Sequence, residues 1–266
     1  MNMYLHELKS LRKSTIIWTL AIIAVAALYL SLYPGIMSDA EGFKKLLGAY
    51  PKAVREGLGI QLESITQLLG FYTMVMAFAT LLGAIQAMNI GVSIISKEIR
   101  ERTADFLLVK PVSRNSIVTS KLLAALTMIL ITNVFYNVAA FIIASLVKKS
   151  DFSIKSFLMI NATLFFVQII FLAIGIFISV IIPKIKSVLP ISLGIVFAFY
   201  LIGAILVTSK DDVTRFISPF KYFDISYIIK NSSYEAPYMI TGAVIVIVAI
   251  VLSYIIYAKR DIHAVN

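Results

Sequence analysis

The side chains best suited to polar chemistry cluster in one stretch, KEIRERTADFLLVKPVSRNSIVTSK, residues 97–121. Eight of its first eighteen residues are charged, whereas the runs 64–96 and 122–147 on either side hold no charge at all. Ile95, Ile99 and Phe106 recur at helical spacings, and Glu98 precedes Arg102 by four residues, the favoured order for a helical ion pair. The pattern predicts a short amphipathic helix that Pro111 ends, with Ser113 or Ser116 capping the helix that follows. Each charge would cost roughly 2.5–3.5 kcal/mol at the centre of a membrane helix, so the stretch stands outside lipid. Its chemistry is ion pairing, which suits recognition of a soluble partner. The competing reading is a solvated connector.

Catalytic constellations are missing from the sequence. Cysteine is absent and the two histidines, His6 and His263, lie in the tails. No Asp, Glu, Lys, Arg or His falls within the six charge-free runs 14–38, 64–96, 122–147, 156–183, 187–209 and 236–258. Proton relays need ionisable groups at membrane depth, metal hydrolysis needs His and carboxylate clusters, and a nucleophilic serine needs a base. The expectation is a non-enzyme with no metal or cofactor of its own. Uncharged polar residues do occur in these runs. Gln67, Gln86, Asn89, Asn133 and Asn137 are candidates to line a substrate path, with Gln86 and Asn89 sharing one helix face and Asn133 and Asn137 another. The same residues, with Asn161 and Gln168, equally suit hydrogen bonding between helices, worth about 0.6–2 kcal/mol each. Gly83, Ala87 and Gly91 form a small-residue stripe that predicts a packing face.

The elements that must position these residues follow from bulk composition. The 266-residue chain is 60% hydrophobic and 14% charged, with a mean hydropathy of +0.93. A soluble domain carries about 25% charged residues, so this chain belongs in a membrane. The shortest charge-free run has 23 residues, and about 20 suffice for a helix to cross the hydrocarbon. The sequence predicts an all-α membrane protein, one domain over 1–266, with spans near 15–33, 65–95, 117–147, 157–182, 187–208 and 237–257. The run at 64–96 exceeds a crossing, so that helix should tilt or project. Residues 41–60, EGFKKLLGAYPKAVREGLGI, predict an outer amphipathic hairpin with Phe43, Leu46, Leu47 and Tyr50 on its apolar side and a second short helix at 52–57 after Pro51. The segment SPFKYFD at 218–224 carries aromatics that suit a lipid–water interface.

With an even number of spans both termini lie on one side. The segments on that side hold 13 Lys/Arg and the longer opposite segments 11, a bias clearer by density than by count that makes the termini cytoplasmic. The net charge of +10 then answers to anionic lipid, with no nucleic-acid partner required.

The run from Glu101 to Lys121, with Arg102-Thr103, Phe106-Leu107-Leu108 and Pro111-Val112-Ser113-Arg114, resembles the type-2 permease subunits of ATP-binding-cassette (ABC) transporters. LLGAYPKAV (46–54), SPFKYFD (218–224) and YAKRDI (257–262) resemble further segments of that family at matching positions along the chain. Arg102 departs from the pattern, which has Gly there. The resemblance implies a six-span subunit that pairs with a second copy of itself or a related permease and works with two copies of a separate ATPase. It assigns Glu98, Glu101, Arg102 and Thr103 to ATPase contact, Pro111 and Arg114 to the adjoining turn, and Pro183, Lys184 and Lys186 to a second, smaller contact. Glu7, Lys9 and Arg12 would belong to an amphipathic lead-in helix on the same face. The chain has no G-x-x-x-x-G-K-[ST] loop, so ATP and Mg²⁺ would sit on the partner. The family implies export across a bacterial plasma membrane, and the apolar, aromatic-rich spans suit an amphipathic substrate such as a peptide, an antibiotic or a lipid-like molecule. The alternative is a membrane scaffold or sensor that recruits a cytoplasmic partner and moves no solute.

Overall fold

Long apolar runs in lipid become helices, because only an internal hydrogen-bond ladder satisfies their backbone. The computed structural model describes residues 3–100, 113–182, 185–206 and 212–259. In chain order its helices are α1 (Met3–Ile36), α2 (Ala40–Gly48), α3 (Lys52–Gly57), α4 (Leu68–Arg100), α5 (Arg114–Val147), α6 (Ile154–Ile181), α7 (Val188–Leu206), α8 (Ile225–Asn231) and α9 (Ala236–Lys259). Six of them, α1, α4, α5, α6, α7 and α9, are long and apolar enough to cross a membrane. The described residues contain no strand.

The expected lead-in helix is not a separate element. Neither Gly nor Pro occurs between Met3 and Tyr33, so nothing breaks the ladder and α1 runs unbroken from tail into span. Helix α4 has 33 residues, or about 50 Å at 1.5 Å per residue. That exceeds a hydrocarbon core of about 30 Å, so one end of α4 projects as the sequence suggested. Pro190 falls in the first turn of α7, where no intrahelical donor is lost.

Helices α4 and α6 form the centre. In their most apolar stretches 67% and 61% of residues are buried, against 17% in α7 and in α9. The predicted small-residue stripe is the reason for this closeness. A Cβ on Gly91 would lie 2.5 Å from the Leu172 carbonyl oxygen and 3.0 Å from Gly175 Cα, so the two backbones touch there. Outward faces stay apolar, with Leu20, Val134 and Ile247 each about 60% exposed, as lipid-facing surfaces require.

At the end away from the termini, α2 and α3 form the expected hairpin. Only Leu47 of its predicted apolar side is buried in the core, and Phe43 packs beside it, while Leu46 and Tyr50 face outward. The chain then folds back over the start of α4. Gly59 takes a left-handed φ of 71°, and the Thr73 hydroxyl donates to the carbonyls of Gly59 and Gly70. Aromatic rings of the segment 218–224 pack inward. Tyr222 is 1% exposed, its hydroxyl donates to the Phe216 carbonyl, and Phe220 packs on Phe171 and Tyr200. The reason is the Ser218 hydroxyl, which donates to the Phe199 carbonyl at 2.8 Å and pins this link against α7.

Candidate functional site

The charged stretch begins in the last turns of α4 and ends at the start of α5. Ser113 caps α5, its hydroxyl accepting from the Ser116 amide, and this fixes where the helix starts. Two turns later Lys121 points into the bundle. It is 2% exposed, and its ammonium donates to Glu7 Oε1 at 3.0 Å and to the Ile94 carbonyl at 2.6 Å. One cation thus ties α1, α4 and α5 together just inside the charged stretch. A buried pair of this kind holds only while both charges are matched, because either alone would bear its full desolvation cost.

Further bonds surround it. Lys97 Nζ reaches Ser10 Oγ at 2.6 Å and joins the end of α4 to α1. The Tyr4 and Thr127 hydroxyls lie 3.0 Å apart and join α1 to α5. On the other flank, Arg114 Nη1 donates to the Ala258 carbonyl at 3.1 Å, and the Thr119 and Tyr254 hydroxyls meet at 2.8 Å. Both ends of the charged stretch are therefore anchored, one to α1 and the other to α9.

Residues 1–262 match the family described as ABC-2 family transporter protein. The chain belongs to the ABC-2 transporter family. It is a multi-pass membrane protein and a permease subunit of an ABC transporter, and permeases of this family work with an ATPase subunit. No curated protein matches the sequence.

Several residues assigned to ATPase contact can be located in this ABC-2 permease. Lys9 and Arg12 are exposed on α1, and Lys186 is exposed beside the buried Ile185. Arg114 lies at the first turn of α5. Glu7 is turned inward and 6% exposed, since Lys121 draws it into the bundle. Glu98 belongs to the last turn of α4, but its side chain lies outside the described residues. Glu101, Arg102, Thr103, Pro111, Pro183 and Lys184 lie outside them altogether.

Of the five candidates for a substrate path, Gln86, Asn133 and Asn137 share one hydrogen-bond network, and Gln67 does not join it. Gln86 and Asn133 are buried in a ladder across α4, α5 and α6. Gln168 Nε2 donates to Gln86 Oε1 at 3.0 Å, and Asn133 Nδ2 donates to Gln168 Oε1 at 2.6 Å. Gln86 Nε2 also donates to the Thr132 hydroxyl, which meets that of Thr19 on α1. Asn137 is half-buried and donates to the Asn133 carbonyl, and Asn89 is half-buried on α4. Gln67 stands apart, exposed on the wall of a cavity of about 1150 Å³ at the end away from the termini. Gln86 and Asn133 therefore take part in hydrogen bonds that join α1, α4, α5 and α6.

Sequence reasoning missed Tyr72 and Tyr136, whose hydroxyls meet at 2.9 Å while Tyr72 donates to Asn161 Oδ1. It also missed the cavity. Its only trace was the weak charge bias, since 11 of the 24 Lys/Arg sit on the side where a strong bias would leave few.

Proposed function

We propose that this permease exports an amphipathic substrate, driven by two copies of a separate ATPase that dock on the end bearing the termini. That end is cytoplasmic in this reading, the membrane is a bacterial plasma membrane, and a second copy of the chain completes the permease. ATP and Mg²⁺ sit on the ATPase. The observation that carries the reading is the three-way tie at Lys121. A segment that leaves α4 and re-enters α5 can move helices only if the helices beside it respond together, and Lys121 joins both to α1 at that point. Coupling needs an element with two positions whose shift is passed on as a unit.

In this arrangement Glu98, Glu101, Arg102 and Thr103 meet the ATPase, as do the exposed Lys9 and Arg12. Pro111 and Arg114 hold the turn, and Pro183, Lys184 and Lys186 make the smaller contact. Glu7 supports the site from inside and does not touch the partner. Family membership favours this reading over a scaffold that moves no solute.

The test is purification of the tagged chain from its native host in mild detergent. A stoichiometric partner carrying a Walker A loop is expected, and it should be lost in the double variant Glu98→Ala, Glu101→Ala. Retention of that partner by the variant would remove the charged stretch from the interface. Absence of any ATPase under gentle extraction would overturn the proposal.

A further inference from the structure

The hairpin that follows α1 turns apolar side chains in two directions. Leu47 is buried in the core with Phe43 packed beside it, four residues apart and so on one face of α2. Successive residues of an α-helix turn by about 100°. Glu41, Lys45 and Gly48 therefore fall opposite the buried face, and all three are exposed. Leu46 falls between the two faces, to the side, and is 58% exposed. Beyond α2 the exposed apolar side chains continue with Tyr50 in the turn and Val54 on α3, 46% and 42% exposed.

What covers this side follows from depth. Helix α1 shows apolar side chains outward at Ile16, Leu20, Leu28 and Leu32, and Lys13 is the last charge before them. From Ile16 to the end of α1 at Ile36 the helix rises about 30 Å, the thickness of the hydrocarbon core. The end of α1 is therefore at the far boundary of that core, and α2 begins at Ala40, after one 3₁₀ turn at Met37–Asp39. Charge returns at this boundary, with Asp39 before α2 and Lys148 after α5. A helix at this depth, with one face on protein and the opposite face charged, has lipid at its side. Exposed apolar side chains are stable there, in the zone between headgroups and acyl chains. Tyr is favoured in the same zone, and a Lys stem can run along it with its ammonium among the headgroups.

We propose that Leu46, Tyr50 and Val54 form a lipid-binding edge that seats the hairpin in the headgroup–acyl boundary of the leaflet away from the termini. The partner is the bilayer itself. Leu47 and Phe43 hold the hairpin to the bundle, and the edge holds it to lipid. The same hairpin carries Lys52 and Arg55 of the cavity wall, so the bilayer fixes that wall in place. This seating requires neither an ATPase nor transport, and it stands or falls apart from the export reading.

The test uses the full chain in phosphatidylcholine nanodiscs, with tryptophan fluorescence as the probe. The chain has one tryptophan, Trp18, so Trp18→Phe gives a background without it. In that background Leu46→Trp and Tyr50→Trp report the edge, and Lys45→Trp reports the water-facing side. Emission from positions 46 and 50 should be lost to phosphatidylcholine brominated high on its acyl chain. The same lipid brominated near the chain end should quench them less, because an interfacial helix sinks only about 5–10 Å into the boundary. Aqueous iodide should quench position 45 more strongly than 46 or 50. Should Leu46→Trp fold poorly, Tyr50→Trp exchanges one aromatic ring for another and gives the same reading. Equal iodide quenching at all three positions, with no loss to either brominated lipid, would put the edge in water and overturn the proposal. Protection of 46 and 50 from both iodide and brominated lipid would mean that protein, such as a second copy of the chain, covers the edge, and would overturn it as well.

Discussion

Removing the Lys121 ammonium is the sharpest test of how the bundle end is held. Lys121→Met keeps a long apolar side chain but leaves the Glu7 carboxylate, 6% exposed, without its cation. Breaking a buried pair from one side costs about 3–5 kcal/mol. For a chain of this size each kcal/mol lowers the melting temperature by roughly 2–4 °C, so a fall of roughly 6 °C or more is expected. Glu7→Gln should cost less, because the amide oxygen still accepts from Lys121 and the ammonium keeps the Ile94 carbonyl. The double variant Glu7→Leu, Lys121→Met removes both charges and should recover at least about 2 kcal/mol relative to the sum of Glu7→Leu and Lys121→Met, since matched apolar replacement of an ion pair is often near neutral. Unfolding by denaturant titration in detergent, followed by circular dichroism, measures all four variants. Lys121→Met within about 1 kcal/mol of the parent, or strict additivity in the double variant, would refute the claim that the pair is buried and mutually dependent.

The other predictions concern packing, access and the opposite end. Gly91→Ala should destabilise by about 1–3 kcal/mol through overpacking, because its methyl meets backbone atoms of α6 at 2.5 and 3.0 Å. Gly83→Ala should cost less by the same titration, since its closest neighbour is the end of the Leu164 side chain. Cysteines placed singly at 86 and 133 should resist a water-soluble maleimide while one at 67 reacts quickly. Reaction at 86 or 133 in any nucleotide state would place those positions on a water-accessible path. Arg215→Gln should cost about 1.5–3 kcal/mol, the worth of a charged hydrogen bond, because both partners of the Arg215–Glu235 pair are about one-fifth exposed. Thermal unfolding of the variant beside Glu235→Gln checks that value.

Much of the architecture was legible locally. Charge-free length alone located six helices, since no other backbone conformation satisfies its polar groups in lipid without partners. Ser113 as a cap, Pro51 before α3 and the Gly83–Gly91 stripe were equally readable, because caps, turns and small-residue faces depend on neighbours in sequence. The Glu7 assignment shows the limit. Its position beside Lys9 and Arg12 resembled a surface helix, yet its partner Lys121 lies 114 residues away. The aromatics of 218–224 show the same limit, since composition does not say which ring packs on which neighbour.

The sequence by itself determined that this chain has six runs long and apolar enough to cross a membrane, that these runs hold no Asp, Glu, Lys, Arg or His, and where its charge is concentrated. These are properties of hydropathy and backbone satisfaction, which act segment by segment. Only the tertiary structure decided which faces meet. Apart from the small-residue stripe of α4, these helices are apolar on all sides and carry no hydropathy stripe to mark their inner faces, so the Gln86–Asn133–Gln168 ladder, the Lys121 tie and the cavity exist only once α1, α4, α5 and α6 have packed and the outer links have closed over them.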